Sequence, residues 1–327
     1  MTIQPIFVIG RNRSGTKWLS NLISQHPEIA CVKDKRFGGI LETNVFNNMP
    51  RCFGDLKLAE NLAAFYIIFS KTSFFKKTGL KEEELFSIRP ENYADFFNKL
   101  MCLYAQSLNK NYWLQKSHPD SLDYLIDNYP NAQYIFIKRN IVDNIRSSIT
   151  NLARNNKKIK KRLLLNVAWY VHDIKIMQNA IEKNKIEHEV VSYSNLNKDR
   201  IKNLKQISRL LKIKYSKEME ESPYTPNTSF TEHKKNEILS KYDEMLIEKL
   251  YFFCKLFPLR FYIIIKTPAK IIKNLFSKDE STNLSFIKAT FHLFLEDIKW
   301  VPEGVNNTKT PIMKSDEILN NLPTENL

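Results

Sequence analysis

Cysteine and glycine are scarce in this chain, and long hydrophobic runs are missing. Four cysteines in 327 residues (Cys31, Cys52, Cys102 and Cys254) stand far apart with no CxxC pair. That excludes a disulfide framework and a cysteine zinc site, and it suits a reducing compartment. The best apolar runs, Ala63–Phe69 and Phe261–Ile265, fall well short of the ~20 residues a membrane-spanning helix needs. Only Ile6–Ile9 precedes Arg11 and Arg13, so no secretory leader is expected and a cytoplasmic location follows. Acid is in deficit: 50 Lys plus Arg against 35 Asp plus Glu leave a formal charge of +15. The excess predicts an anionic partner (nucleic acid, a membrane surface or a polyphosphorylated small molecule) or simply a Lys- and Asn-rich composition. With seven glycines in all, those present should mark places where the backbone demands one.

What is there is an alternation of strands and helices. Ile6–Ile9, Trp113–Gln115, Tyr134–Ile137 and Val190-Val191 read as short apolar strands. Between them lie helical stripes: Thr16–Ser24; Tyr93, Phe96, Phe97, Leu100, Met101 and Tyr104 after Pro90; Leu122–Tyr129; Ile141, Ile145, Ile149 and Leu152; and Ile201 to Leu211. The pattern predicts an α/β fold of three layers, with a central parallel sheet flanked by helices. Ligands of such sheets collect at the carboxyl ends of the strands, so three loops carry the functional reading.

The first, Gly10-Arg11-Asn12-Arg13-Ser14-Gly15-Thr16-Lys17-Trp18, has the Gly-x4-Gly spacing of a phosphate-binding loop and runs into a helix N-terminus. Thr16 occupies the place of the nucleoside-triphosphatase lysine. The second strand end is Lys138-Arg139-Asn140, with Ser147 and Ser148 two turns into the next helix. A magnesium-binding acid is usual there; a Lys-Arg pair receives a second anion instead. The third is Lys116-Ser117-His118-Pro119, where a lysine and a histidine on an extended segment project to one face. Lys116 can steady developing negative charge while an imidazole, titrating near ~6.5, takes a proton from an alcohol.

Together the three loops resemble the sulfotransferase superfamily that uses 3′-phosphoadenosine-5′-phosphosulfate (PAPS). RSGTKWL is similar to the family's 5′-phosphosulfate loop, and Ser24-Gln25-His26-Pro27 to the His-Pro that often follows its helix. NYPNAQYIFIKRNIVDNIRSS resembles its 3′-phosphate segment, and KSHP its KTH segment. The resemblance implies a P-loop-like fold, PAPS as donor without a metal, and donor contacts from the loop Arg11 to Trp18. Within that loop it assigns the phosphosulfate to Arg13, Ser14, Gly15 and Thr16, and the 3′-phosphate to Arg139 and Ser147. Trp18 stacks on adenine or fills the core; Lys17, where the family has a second Thr, adds a cation or points away. Lys116 contacts the sulfuryl group. The base is His118, placed ahead for its adjacency to Lys116, or Glu42, whose ETNVF segment is similar to that of a bacterial branch using a glutamate. The acceptor is a hydroxyl or amine of a glycan, a glycolipid or a small molecule.

The resemblance spans residues 3 to 250. VVSYSNL, at 190–196, lacks the family's acids and reads as structural; Asn227–Phe230 resembles an NTSF loop, with Lys234 and Lys235 as substitutes for a missing 3′-phosphate loop. The run Asn155–Arg162 is a solvated segment or an edge that binds an acidic acceptor. Residues 1–254 form the expected sulfotransferase domain and 255–327 a mainly helical extension, polar from about 301. Within it Phe257–Phe276 either lies on the anionic inner face of a membrane or packs on the core. Two rivals remain: a P-loop kinase using ATP with magnesium, and a basic nucleic-acid-binding protein. The first lacks its lysine and its acid, and the second lacks aromatics among the basic residues of 155–162.

Overall fold

A computed structural model describes residues 3–154, 161–184, 186–224 and 238–256, the side chains of 152–154 excepted. Five strands form a parallel sheet in the order β2-β5-β1-β6-β7: β1 (Gln4–Ile9), β2 (Ile29–Ala30), β5 (Tyr112–Ser117), β6 (Gln133–Lys138) and β7 (His188–Ser192). A separate hairpin pairs β3 (Lys33–Asp34) with β4 (Gly39–Ile40). The helices are α1 (Thr16–Ile23), α2 (Asn48–Phe53), α3 (Ala59–Lys71), α4 (Ser73–Thr78), α5 (Glu82–Ser87), α6 (Tyr93–Ser107), α7 (Leu122–Asn128), α8 (Ile141–Arg154), α9 (Leu163–Asn184), α10 (Tyr193–Lys198), α11 (Arg200–Leu210) and α12 (Lys241–Leu256).

β1, β5 and β6 alternate between two cores, which is why they read as unbroken apolar runs. Phe7, Ile9, Trp113, Tyr134 and Phe136 face a core shared with α3, α6, α7 and α9. Ile6, Val8, Leu114, Ile135 and Ile137 face the other, filled by Trp18, Leu19 and Leu22 of α1 and Leu204 and Ile207 of α11. The first core is markedly aromatic: Phe65 meets Phe96 edge-on at 4.7 Å and Phe7 meets Trp113 at 5.3 Å, a geometry that suits the ring quadrupoles.

The chain leaves β1 toward β2 and leaves β6 toward β7, in opposite directions from adjacent strands. The carboxyl ends of β1 and β6 therefore flank the crevice where such sheets take ligands. Two parts of the fold differ from the sequence reading. The edge strand β2 has only two residues, too few for a periodic signal. Residues 41–87 form a helical insertion, α2 to α5, whose short pieces carry no long stripe.

The expected boundary at 254 falls inside α12, which packs Ile247 and Cys254 against α8 and α9. The extension from 257 and the segment 225–237, with its NTSF loop and lysines, lie outside the described residues, as does most of the basic run. Lys161, at the end of that run, is paired with Asp243 at 2.7 Å. Among the described residues no helix is long and apolar enough to cross a membrane, and the four cysteines are free thiols.

Candidate functional site

The loop after β1 is shaped by its glycines. A Cβ on Gly10 would lie 2.8 Å from the Ile137 carbonyl oxygen, so only glycine lets the loop pass against β6. Gly15 has φ +98°, and a Cβ there would lie 2.5 Å from the Tyr193 ring. Arg13 also takes a left-handed backbone, φ 69°. Gly15 offers α1 no side-chain cap, and no acid stands in the helix's first turn. The opening N–H groups of α1 thus face whatever fills the loop, a seat for a phosphate or sulfonate.

Asn144 of α8 stitches this loop in place. It accepts from Arg11 Nε at 3.1 Å and donates to the Asn12 carbonyl at 3.0 Å and to Ser14 Oγ at 3.1 Å. The Arg11 guanidinium turns away from the loop interior to Asp173 of α9, at 2.5 Å. Burial pushes the Asp173 carboxyl up, and Arg11 and His118 pull it back only in part.

The second strand end closes on the first. Arg139 donates to the Arg13 carbonyl at 3.1 Å, and its guanidinium lies 4.3 Å from the centre of the Tyr193 ring, a favourable cation–π distance. Burial pulls its pKa below the usual guanidinium value, so this cation sits partly desolvated at the crevice. Ser147 is buried one turn beyond Asn144, and that spacing places it on the same face of α8.

At the third strand end, Lys116 is buried and bonded to the half-exposed carboxylate of Glu42. Burial alone would raise the Glu42 pKa, but the Lys116 ammonium, with Lys17 and His118, holds it below the ordinary glutamate value. Glu42 is therefore an ionised base at neutral pH. Lys17 donates to the Phe37 carbonyl at 2.9 Å; burial, then Lys116, lowers its pKa. Glu42 and Lys17 border a cleft of about 230 Å³ walled by Ile40, Leu41, Met49, Phe69 and Phe74. A larger hollow, about 410 Å³, lies on the outer face of α11 among Asp199, Lys202, Lys205 and Arg209 and holds none of these residues.

Residues 5–217 match the family model described as the sulfotransferase family. The chain belongs to the sulfotransferase family. Solved structures of similar fold include the sulfotransferase domain of the Synechococcus PCC 7002 olefin synthase, 15% identical over 76% of this chain and 95% of that one, TM-score 0.48. The sulfotransferase of Alicyclobacillus acidocaldarius is 18% identical over 77% and 97%, TM-score 0.43. Mouse sulfotransferase SULT7A1, solved in complex with PAP, is 14% identical over 77% and 83%, TM-score 0.45. No curated protein matches the sequence.

Within this sulfotransferase the structure gathers Arg13, Ser14, Gly15, Thr16 and Arg139 around one crevice, and Lys17, Lys116 and Glu42 at its neighbour. Asn12 is exposed at the loop tip. Arg11 serves the scaffold, and Trp18 is buried edge-on to Tyr193 at 5.4 Å with Arg200 above it at 5.6 Å. His118 lies between two carboxylates: Nδ1 is 3.0 Å from Asp120 and Nε2 is 3.7 Å from Asp173. The His118 hydrogen bond lowers the Asp120 pKa. These three side chains could together hold a cation; of the Asp173 oxygens, Oδ2 already accepts from the Arg11 guanidinium and Oδ1 has no hydrogen-bond partner.

Several site residues escaped the sequence reading. Asn144 carries a usable signal, standing three residues before Ser147 on one helix face. Tyr193 lies in VVSYSNL, a stretch whose sequence carries no site signal, and its ring underlies both Gly15 and Arg139. Asp173 sits mid-helix without any local motif.

Proposed function

We propose that the protein moves the sulfuryl group of PAPS to the hydroxyl of an acceptor, with Glu42 as general base. One observation carries this reading: Arg139 reaches back to the Arg13 carbonyl, so the anion seats of β1 and β6 form one crevice suited to a nucleotide with two separated phosphate groups. The glycines let the loop close against Ile137 and the Tyr193 ring, and the uncapped N–H groups at the start of α1 suit such a donor.

When bound, the donor supplies the sulfuryl group: the acceptor oxygen bonds to sulfur as the sulfur–phosphate oxygen bond breaks, its electron pair leaving on 3′,5′-bisphosphoadenosine. Glu42 takes the hydroxyl proton, a role open to it because it is ionised at neutral pH and its oxygens face the cleft. Lys116 keeps Glu42 ionised and, with the N–H groups at the start of α1, faces the charge that builds during transfer; a well-placed donor contributes about 3 kcal/mol. Arg139 and Ser147 hold the 3′-phosphate. His118, with both ring nitrogens directed at carboxylates, orients Asp120 and Asp173 instead of acting as the base. Lys138-Arg139 in place of a magnesium-binding acid supports donor binding without a metal.

The free thiols accord with a cytoplasmic location, with residues 257–276, outside the described residues, contacting the inner membrane face. Thermal stability with 3′,5′-bisphosphoadenosine, and separately with ATP and magnesium, tests the function. Stabilisation by the bisphosphate without metal is expected; stabilisation by ATP–magnesium alone would replace this reading with a kinase.

A further inference from the structure

The cleft beside Glu42 says what kind of acceptor the site takes. Its walls, Ile40, Leu41, Met49, Phe69 and Phe74, are all buried from bulk solvent yet line the hollow. They come from β4 and the helical insertion, which places one apolar pocket directly behind the ionised carboxylate. Polar residues also border it: Asn44 and Ser73, and Thr43, Thr72 and Lys17, whose bonding capacity is partly committed. The Thr72 hydroxyl donates to the Phe69 carbonyl at 2.7 Å and accepts from the Phe75 N–H at 3.2 Å. Thr43 Oγ1 accepts from the Val45 N–H at 3.2 Å. Lys17 spends a proton on the Phe37 carbonyl.

We infer that this cleft seats the apolar body of a small primary alcohol, alkyl or aryl-alkyl, with its hydroxyl at Glu42; the inference rests on the sulfotransferase reading above. At about 230 Å³, and roughly 30 Å³ per water-sized group, it holds a body of roughly eight non-hydrogen atoms. An apolar chain fits these walls, each buried methylene tightening binding about three- to fourfold. A sugar ring of the same size would bring several hydroxyls against Leu41, Met49, Phe69 and Phe74, and each left unpaired would weaken binding about tenfold. The transfer is that balanced above, with the proton passing to Glu42 and the product an alkyl sulfate ester.

The test uses the full chain and a panel of 1-butanol, 1-hexanol, 1-octanol, 3-phenylpropanol and methyl β-glucoside. Binding is read from intrinsic fluorescence with and without 3′,5′-bisphosphoadenosine, and transfer from labelled donor gives KM for each. Affinity should climb about three- to fourfold per methylene up to roughly eight carbons and then level, with methyl β-glucoside the weakest. Phe37→Ala at the exposed rim and Met49→Gln on the wall should raise the octanol KM about three- to tenfold while bisphosphate affinity stays unchanged. Affinity independent of chain length, or a preference for the glucoside, would overturn the inference. If alcohols bind in chain-length order but the bisphosphate never binds, the pocket stands and the sulfotransferase reading fails. If the bisphosphate binds and no alcohol does, the reverse holds.

Discussion

The donor cradle and the acceptor cleft meet at one corner of the sheet but are built in opposite ways. The cradle is a matter of backbone. Gly10 and Gly15 tolerate no side chain, Asn144 ties three loop groups together, and Arg139 locks β6 to the loop. The acceptor side is a matter of side chains brought from several helices. Its rim turn has Gly38, where an added Cβ would meet nothing within 4 Å, and its base is half-exposed. On the proposed reading, the site for an invariant nucleotide is the rigid one, and the site that selects among acceptors is made of replaceable packing.

The sharpest break in this comparison is Glu42→Gln. Turnover should fall about 10²–10⁴-fold while bisphosphate affinity changes less than twofold, and His118→Asn should cost turnover less than tenfold. Steady-state kinetics beside calorimetric titration reads both; the opposite ranking would move the base to His118. Next come the glycines. Gly15→Ala should lose about 1–3 kcal/mol of stability and weaken the bisphosphate, whereas Gly38→Ala, also left-handed at φ +69° but unobstructed, should lose only about 1 kcal/mol. Equal losses in denaturant melts would show the cradle to be no tighter than the rim.

The two ends also differ in pH response. The folded-state pKa of Glu42 is depressed, so its ion pair favours folding above the unfolded carboxyl's pKa and is lost as pH falls through the folded value. Asp173 has a raised pKa, so it favours folding below the unfolded pKa and opposes it as pH rises through the folded one. The stability advantage of wild type over Glu42→Gln should therefore vanish on acidification below the ordinary glutamate range, and the acid limb of kcat/KM should lie there as well. A limb in the range where an imidazole titrates would contradict Glu42 as the base. The smallest effect belongs to Lys17→Met: its bond to Phe37 is exposed, so melting should shift by less than about 1 kcal/mol, with a severalfold rise in acceptor KM.

The same contrast explains what was legible in the sequence. β1, β5 and β6 announced themselves as apolar runs because each is covered on both faces, β7 by the buried Val191 beside a Val190 that is exposed, and the cradle was legible because its glycines and cations are contiguous. Arg139 and Ser147 were legible because they flank the second strand end. The brace from Asp173 to Arg11 was not, since its partners are 162 positions apart. Nor were the cleft walls, whose residues Met49, Phe69 and Phe74 look like ordinary core until folding leaves a hollow among them. Trp18 shows the converse: a residue in a strong motif whose ring the fold spends on packing against Tyr193.

The central claim is that one nucleotide spans the ends of β1 and β6, with Arg139 on its 3′-phosphate. Calorimetric titration of wild type and Arg139→Met with 3′,5′-bisphosphoadenosine and with 5′-AMP, which lacks that phosphate, tests it most directly. The account predicts that wild type prefers the bisphosphate by about 30-fold or more, as expected for a buried charge pair worth about 2–5 kcal/mol, and that the substitution collapses this preference while sparing 5′-AMP. Equal weakening of both ligands, or no weakening of either, would contradict it.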